Sequence, residues 1–175
     1  MPEPPDLKAI LKKLADHQVE FILIGALSAV LQGAPISTFD VDIVHRRTPE
    51  NLQRLVAALE DLDAYYRERR DRKVKPTLSH LAGPGHNLLA TRLGPLDVLG
   101  AISDDRDYDS LLPDSHLVPI DEQNLRVLNL RTVIAMKEKA GRDKDIMALS
   151  VLKRTLEISE AQADQSSGPA DSSLP

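Results

Sequence analysis

Hydrophobic positions in the first third of the chain change period twice. Between residues 7 and 14 they repeat as in a helix with one buried face, and Asp6 precedes them as a helix cap. Residues 19–24 form a continuous apolar run, typical of a strand covered on both faces. The run stops at Gly25, and residues 26–31 are helix formers. The pattern predicts a helix, a buried strand, a glycine turn and a short helix.

Alternation of polar and apolar residues predicts a second strand at residues 39–44. Asp40 and Asp42 are its polar positions, so their carboxylates share one face of the strand. The segment Thr48-Pro49-Glu50 then predicts a helix start, with a capping hydroxyl, a proline at the first helical position and an acid in the first turn.

The second half of the chain predicts a hairpin and three helices. Gly94-Pro95 is the expected turn between apolar segments at 86–93 and 96–101. Residues 65–75 and 77–81 are expected to be edge strands or irregular. Further along, we expect a short helix over 103–112 and a strand at 116–120. Two helices are expected over 130–140 and 143–158.

Composition indicates one globular domain followed by a tail. The chain has 175 residues, of which 42% are hydrophobic and 28% charged, and no cysteine, which excludes a disulfide scaffold. Residues 159–175 are mostly Ser, Ala, Asp, Gln, Gly and Pro and offer little to bury. We therefore expect a domain over residues 1–158 and a disordered tail over 159–175.

Charge and aromatic content limit the class of partner. The net charge of −5 argues against bulk electrostatic binding to nucleic acid, and 3% aromatic residues argue against a base-stacking platform. The longest apolar run, Phe21 to Val30, is half of what a membrane span needs, and the N-terminal residues do not resemble a secretory signal. A cytoplasmic protein without a membrane partner is expected.

Asp40 and Asp42 are the first candidates for chemistry. Two carboxylates of one strand can hold Mg²⁺, which takes oxygen ligands from carboxylates, water and phosphates. A lone D-x-D pair more often only solvates a strand end. Gly25 strengthens the metal interpretation, because a glycine between a buried strand and a helix lets phosphates approach the backbone.

This arrangement resembles the nucleotidyltransferase superfamily that shares the DNA polymerase β palm fold. The matching residues are Ile24-Gly25-Ala26, a spacer of thirteen residues, and Asp40-Val41-Asp42-Ile43. The stretch GALSAVLQGAPISTFDVDIV is similar to bacterial minimal, aminoglycoside and toxin nucleotidyltransferases, in which Thr38 also has a counterpart. The resemblance implies an α+β fold: a palm-like mixed sheet flanked by helices, with further helices at the C-terminus.

Two positions depart from the pattern of these families. Ala26 stands where they have a second Gly or Ser, and Ile36 stands where they often have an arginine. The departures leave the metal ligands unchanged but remove a possible phosphate contact. The resemblance therefore implies either an active enzyme or a catalytically inactive member of the fold.

The resemblance also assigns residues further along the chain. Asp97, in a Gly-x-Leu-Asp-x-Leu-Gly segment, is the expected third metal ligand and the base for the acceptor hydroxyl, or else an exposed hairpin acid. Lys137 is expected to contact the triphosphate, or else to lie at a helix edge. Asp145 is expected to orient Lys137 or to cap the last helix. Gly25, Ala26 and Thr38 complete the implied nucleotide site.

The function implied is transfer of a nucleoside monophosphate from a nucleoside triphosphate such as ATP to an acceptor hydroxyl on RNA, protein or a small molecule. Mg²⁺ or Mn²⁺ would bind Asp40, Asp42 and Asp97. The segment Arg67 to Lys75 has six basic residues among nine and could seat tRNA or another nucleic acid, or it is a charged edge strand. A toxin with an antitoxin partner, a nucleotide-binding protein without catalysis, and a partner-binding domain are the alternatives.

Overall fold

The computed structural model of the chain describes residues 3–69 and 72–166. Its helices are α1 (Leu7–Asp16), α2 (Gly25–Leu31), α3 (Pro49–Asp61), α4 (Leu78–Leu81), α5 (Tyr108–Leu111), α6 (Leu130–Ala140) and α7 (Asp143–Ser166). Its strands are β1 (Phe21–Ile24), β2 (Val41–His45), β3 (Tyr65–Tyr66), β4 (His86–Thr91), β5 (Gly94–Leu99), β6 (Ala101–Ile102), β7 (Arg106–Asp107), β8 (Ser115–Ile120) and β9 (Gln123–Leu128).

Seven of these strands form one mixed sheet in the order β3-β4-β5-β2-β1-β9-β8. The central strand β2 runs antiparallel to β1 and parallel to β5, and β1 runs parallel to β9. Strands β6 and β7 pair separately as a small hairpin. The fold is α+β with a mixed sheet flanked by helices, which confirms the expected fold class.

Helices cover both faces of this sheet because β1 is apolar on both sides. Leu23 belongs to a core shared with α1 and α3, whereas Ile22 and Ile24 belong to a second core shared with α2, α6 and α7. All four β1 residues are buried, as the continuous apolar run predicted. Each buried Leu or Ile contributes about 1.5–3 kcal/mol, so the two cores fix β1 and its neighbour β2 in the middle of the molecule.

Asn51 fastens these two strands to α3. Its Oδ1 accepts a hydrogen bond from the Glu20 backbone N–H at 2.7 Å, and its Nδ2 donates to the backbone carbonyls of Glu20 and Arg46. Thr48 caps α3 by accepting from the Asn51 N–H, as predicted. The start of β1 and the end of β2 are thereby tied to the first turn of one helix.

Three expectations about local structure are wrong. Residues 77–81 form a helical turn, because Thr77 and His80 make a reciprocal capping box. The hairpin turn is Arg92-Leu93, and Gly94 and Pro95 already pair with β4. Strand β2 begins at Val41, so Asp40 precedes it.

One strand was not predicted, and one helix is longer than predicted. Strand β9 had no prediction and pairs with β8 as an antiparallel hairpin. Helix α7 continues through residues 159–166, because Ala, Glu and Gln in this part of the predicted tail favour a helix. Residues 167–175 of that tail lie outside the described residues. The division into a domain at 1–158 and a tail stays a prediction.

Candidate metal and nucleotide site

Asp42 and Asp97 lie opposite each other on the paired strands β2 and β5. One carboxylate oxygen from each, together with one from Asp40, lies within 4.8 Å of the other two. Opposite ligands of an octahedral Mg²⁺ with bonds near 2.1 Å are about 4.2 Å apart. The structure thus brings together the three predicted ligands at a spacing close to that of a magnesium shell.

Thr38 fixes Asp40, which lies in the loop before β2. The Thr38 hydroxyl donates a 2.8 Å hydrogen bond to Oδ1 of Asp40. This bond leaves the other oxygen of Asp40 for a cation. Thr38 was predicted to bind the nucleotide, and its described contact is with a carboxylate of the cluster.

Gly25 provides the space for Asp42. Its φ is +70°, a conformation that residues with a side chain rarely adopt, and a Cβ atom here would overlap the Asp42 carboxylate. Ala26 follows in the first turn of α2. The glycine turn and the acid cluster are therefore contiguous, as the resemblance implied.

Burial and mutual repulsion perturb the acids. Burial, and after it the charges of Asp40 and Asp97, together raise the pKa of Asp42 to about 7 against the opposing effects of Arg67 and Lys137. Burial also raises the pKa of Asp97, opposed by Arg67. The same repulsion that favours protonation of Asp42 would be relieved by a divalent cation. The donor set fits Mg²⁺ or Mn²⁺.

Arg67 belongs to this cluster, although the sequence placed it only in a basic segment. Its Nη1 lies 2.7 Å from Oδ1 of Asp97, and its Nη2 donates to Oδ2 at 3.0 Å. The contact depends on β3 lying beside β4 and β4 beside β5. The expected edge strand near residue 65 and the expected hairpin were the available signals, but neither fixed the register.

Lys137 and Asp145 form an ion pair at the junction of α6 and α7. Lys137 Nζ donates to Oδ1 of Asp145 at 2.9 Å, and Arg142 Nε donates to Oδ2 at 2.6 Å. Burial alone would raise the pKa of Asp145, but these two hydrogen bonds outweigh it and hold the pKa below its usual range. The charge of Lys137 also lowers the pKa of Asp42, so it acts on the acid cluster as well as on Asp145.

Other parts of the predicted site are less open to a phosphate. Lys73 and Lys75 each lie 3.5 Å from the Asp63 carboxylate, which partly neutralises the basic segment. Arg70, in the same segment, lies outside the described residues. Ile36, at the position where an arginine was sought, packs against the core on the α6 side of the sheet.

Among residues 3–69 and 72–166, no helix combines the length and the apolar character needed to cross a membrane.

Comparisons with known proteins identify the fold. No protein-family model and no curated protein matches the chain. A solved structure from Thermotoga maritima, provisionally assigned as a nucleotidyltransferase, aligns with a TM-score of 0.52 at 18% identity over 82% of this chain and 88% of that one. The antibiotic-resistance factor ANT(2'')-Ia aligns with a TM-score of 0.54 at 13% identity over 91% of this chain and 89% of that one. The chain therefore has the nucleotidyltransferase fold.

Proposed function

We propose that the protein transfers a nucleoside monophosphate from a nucleoside triphosphate to an acceptor hydroxyl, with a divalent cation. The observation that carries this proposal is the meeting of Asp42 on β2, Asp97 on β5 and Asp40 in the loop before β2, at the centre of the sheet of a nucleotidyltransferase fold. In the reaction the acceptor oxygen forms a bond to the α-phosphorus, the bond from α-phosphorus to the bridging oxygen breaks, and pyrophosphate leaves.

The three carboxylates have different roles in the proposed reaction. Asp40 and Asp42 hold Mg²⁺ or Mn²⁺, which when bound neutralises charge on the reacting phosphate. Asp97 completes the ligand set and takes the proton of the acceptor hydroxyl. Its burial, at 9% exposure, raises its pKa and makes it a stronger proton acceptor than an exposed carboxylate.

The remaining assigned residues bind the nucleotide. The backbone at Gly25 lies next to Asp42, and Ala26 follows it in the first turn of α2, beside the place that a phosphate bound to the cation would take. Lys137 supplies a positive charge to the triphosphate, and Asp145 holds it in place. Thr38 acts through Asp40.

RNA is the acceptor class that the basic segment Arg67 to Lys75 favours, and a tRNA is one candidate. A toxin with an antitoxin partner is the corresponding biological role. If the acceptor is RNA, Arg69→Ala and added salt should both reduce transfer, because phosphate contacts release counterions. With a small-molecule acceptor neither should matter.

Transfer of label from α-labelled ATP, CTP, GTP or UTP to acceptors in cell extract tests the proposal. The wild-type protein should label an acceptor, whereas Asp40→Ala and Asp42→Ala should not. Asp121→Ala, which removes a surface acid paired with Lys8, is the matched control and should label normally. Lys137→Ala should raise the nucleotide concentration needed for half-maximal labelling.

A nucleotide-binding protein without catalysis is the second candidate. Ile36 favours it, since this side chain packs against the core and supplies no cation for a phosphate. Nucleotide binding without any Asp40-dependent labelling would establish this candidate. Absence of both binding and labelling would reject both.

A further inference from the structure

The Arg67 side chain spans the edge of the sheet to reach a central acid. Arg67 follows β3 directly, and its backbone N–H donates to the Leu88 carbonyl of β4 at 3.1 Å. From there the guanidinium passes β4 and contacts both oxygens of Asp97 on β5. The arginine side chain remains 34% exposed, whereas that of Asp97 is 13% exposed.

This contact takes up the carboxylate that a cation needs. The guanidinium donates a hydrogen bond to Oδ2 of Asp97 and lies 2.7 Å from Oδ1, so its positive charge stands against both oxygens that a metal would use. Oδ1 of Asp97 is buried and, although Arg67 is close, accepts no hydrogen bond of good geometry from the described residues. Oδ1 of Asp97 therefore has the nearby charge of Arg67 but lacks a hydrogen-bond donor among the described residues.

We propose that Arg67 is a positioning residue that closes the metal site of the metal-free protein. While the guanidinium holds Asp97, a divalent cation reaches only Asp40 and Asp42. The third ligand joins when Arg67 leaves for the solvent on its exposed side. This inference rests on the proposed function, because it concerns the same metal site.

Electrostatics favours such an exclusion over shared binding. A guanidinium and a divalent cation on one buried carboxylate would repel each other at short range, where screening by water is weak. Arg67 in turn offsets the repulsion that Asp97 exerts on its neighbours while the cation is absent. The arginine therefore stabilises the empty site at the expense of cation affinity.

Mn²⁺ binding followed by electron paramagnetic resonance tests the inference in a double-mutant cycle. Arg67→Gln should bind Mn²⁺ about tenfold more tightly than the wild type, which corresponds to about 1.4 kcal/mol. Asp97→Asn should change affinity less than about twofold in the wild type but weaken it about tenfold in the Arg67→Gln background. Arg67→Lys keeps the charge without the fork and should show an intermediate gain.

Arg92→Gln is the control for loss of one positive charge, because Arg92 pairs with Asp61 near the hairpin turn. Its affinity for Mn²⁺ should equal that of the wild type. The inference would be overturned if Arg92→Gln and Arg67→Gln gained the same affinity for Mn²⁺. It would also be overturned if Arg67→Gln and Arg67→Lys bound Mn²⁺ more weakly than the wild type. In either case the proposed function would stand as long as Mn²⁺ binding depends on Asp42. If neither the wild type nor Arg67→Gln binds Mn²⁺ through Asp42, both fail.

Discussion

The backbone of Gly25 lies so close to Asp42 that any Cβ atom at position 25 would overlap the Asp42 carboxylate. Strand β1 ends at Ile24, which is paired with Asp42 on β2, so the glycine and the acid meet where the two strands leave their ladder. Position 25 therefore requires a glycine for two separate reasons, which are its positive φ and the space taken by Asp42.

Gly25→Ala should lose both stability and cation binding. The left-handed conformation alone costs about 1–3 kcal/mol for alanine, and displacement of Asp42 adds to this. Gly33→Ala is the matched control, because Gly33 has a φ of +94° with open space around it. Urea unfolding should show a loss in both variants, and only Gly25→Ala should weaken Mn²⁺ binding. Equal Mn²⁺ affinities would contradict the role of the Gly25–Asp42 contact.

The contribution of Asp42 to the stability of the metal-free protein should fall as the pH rises from about 4 to about 7. The pKa of Asp42 is raised to about 7 from its ordinary value of 3.8, so the folded state binds this proton more tightly than the unfolded state. The free energy of unfolding that this proton contributes is therefore largest at low pH, and it decreases by up to about 1.4 kcal/mol per pH unit within this window. Because burial lowers the pKa of His45 and gives an opposite dependence in the same window, the slope should appear in the difference between wild type and Asp42→Asn in urea unfolding with chelator.

Asp42→Asn should lack that contribution, because it removes the titrating group. Added Mg²⁺ should stabilise the wild type more at pH 7.5 than at pH 5, since cation and proton compete for the same oxygens. An equal fall in Asp42→Asn would assign the dependence to another group.

Asn51→Ala should destabilise the fold on the order of 3 kcal/mol, since it leaves three part-buried backbone groups of Glu20 and Arg46 without this partner. Gln53→Ala changes an exposed residue of the same helix and should alter the free energy of unfolding by less than about 0.5 kcal/mol. Urea unfolding measures both. Similar values for the two variants would show that the Asn51 hydrogen bonds contribute little.

Lys137→Met should destabilise the protein by about 1–3 kcal/mol at pH 7, because Asp145 is left buried with Arg142 alone. The lowered pKa of Asp145 stabilises the fold above the ordinary pKa of a carboxyl, and this contribution disappears as the pH falls through the lowered value. The difference between variant and wild type should therefore shrink in acid.

Lys139→Met removes a more exposed cation of the same helix, paired with Asp104, and is the control. Its free energy of unfolding should stay within about 0.5 kcal/mol of the wild type at either pH. A deficit for Lys137→Met that is independent of pH would mean that lost packing, and not the charge of Asp145, is responsible.

Helices and strands that depend on neighbouring residues, through caps or the spacing of apolar positions, could be predicted from the sequence. Capping residues located the starts of α1 and α3, where Asp6 and Thr48 accept the expected backbone hydrogen bonds. The apolar run of β1 and the spacing of α6 likewise gave correct elements. The turn before β5 was misplaced, because Gly94 and Pro95 fit a turn locally but are paired in the ladder by tertiary contacts.

Long-range pairing decided what the sequence could not predict. No residue near Arg67 in the sequence indicates that the pairing of β3 with β4 and of β4 with β5 will place it against Asp97, thirty residues later. Asn51 gave no signal either, since its partners Glu20 and Arg46 lie on two other segments. Asp97 was identified by its resemblance to a family motif, and its place opposite Asp42 depends on the parallel register of β2 and β5.

The parallel pairing of β2 and β5 also sets an order of assembly. The chain must close a loop of about fifty residues before Asp42 and Asp97 meet, which costs conformational entropy that no local contact repays. The acid cluster therefore has no precursor in a nascent chain that ends before β5. Cation binding that depends on Asp97, as expected in Arg67→Gln, becomes a late and specific reporter of native topology, and it would distinguish the folded protein from compact intermediates that already contain α1, β1 and α3.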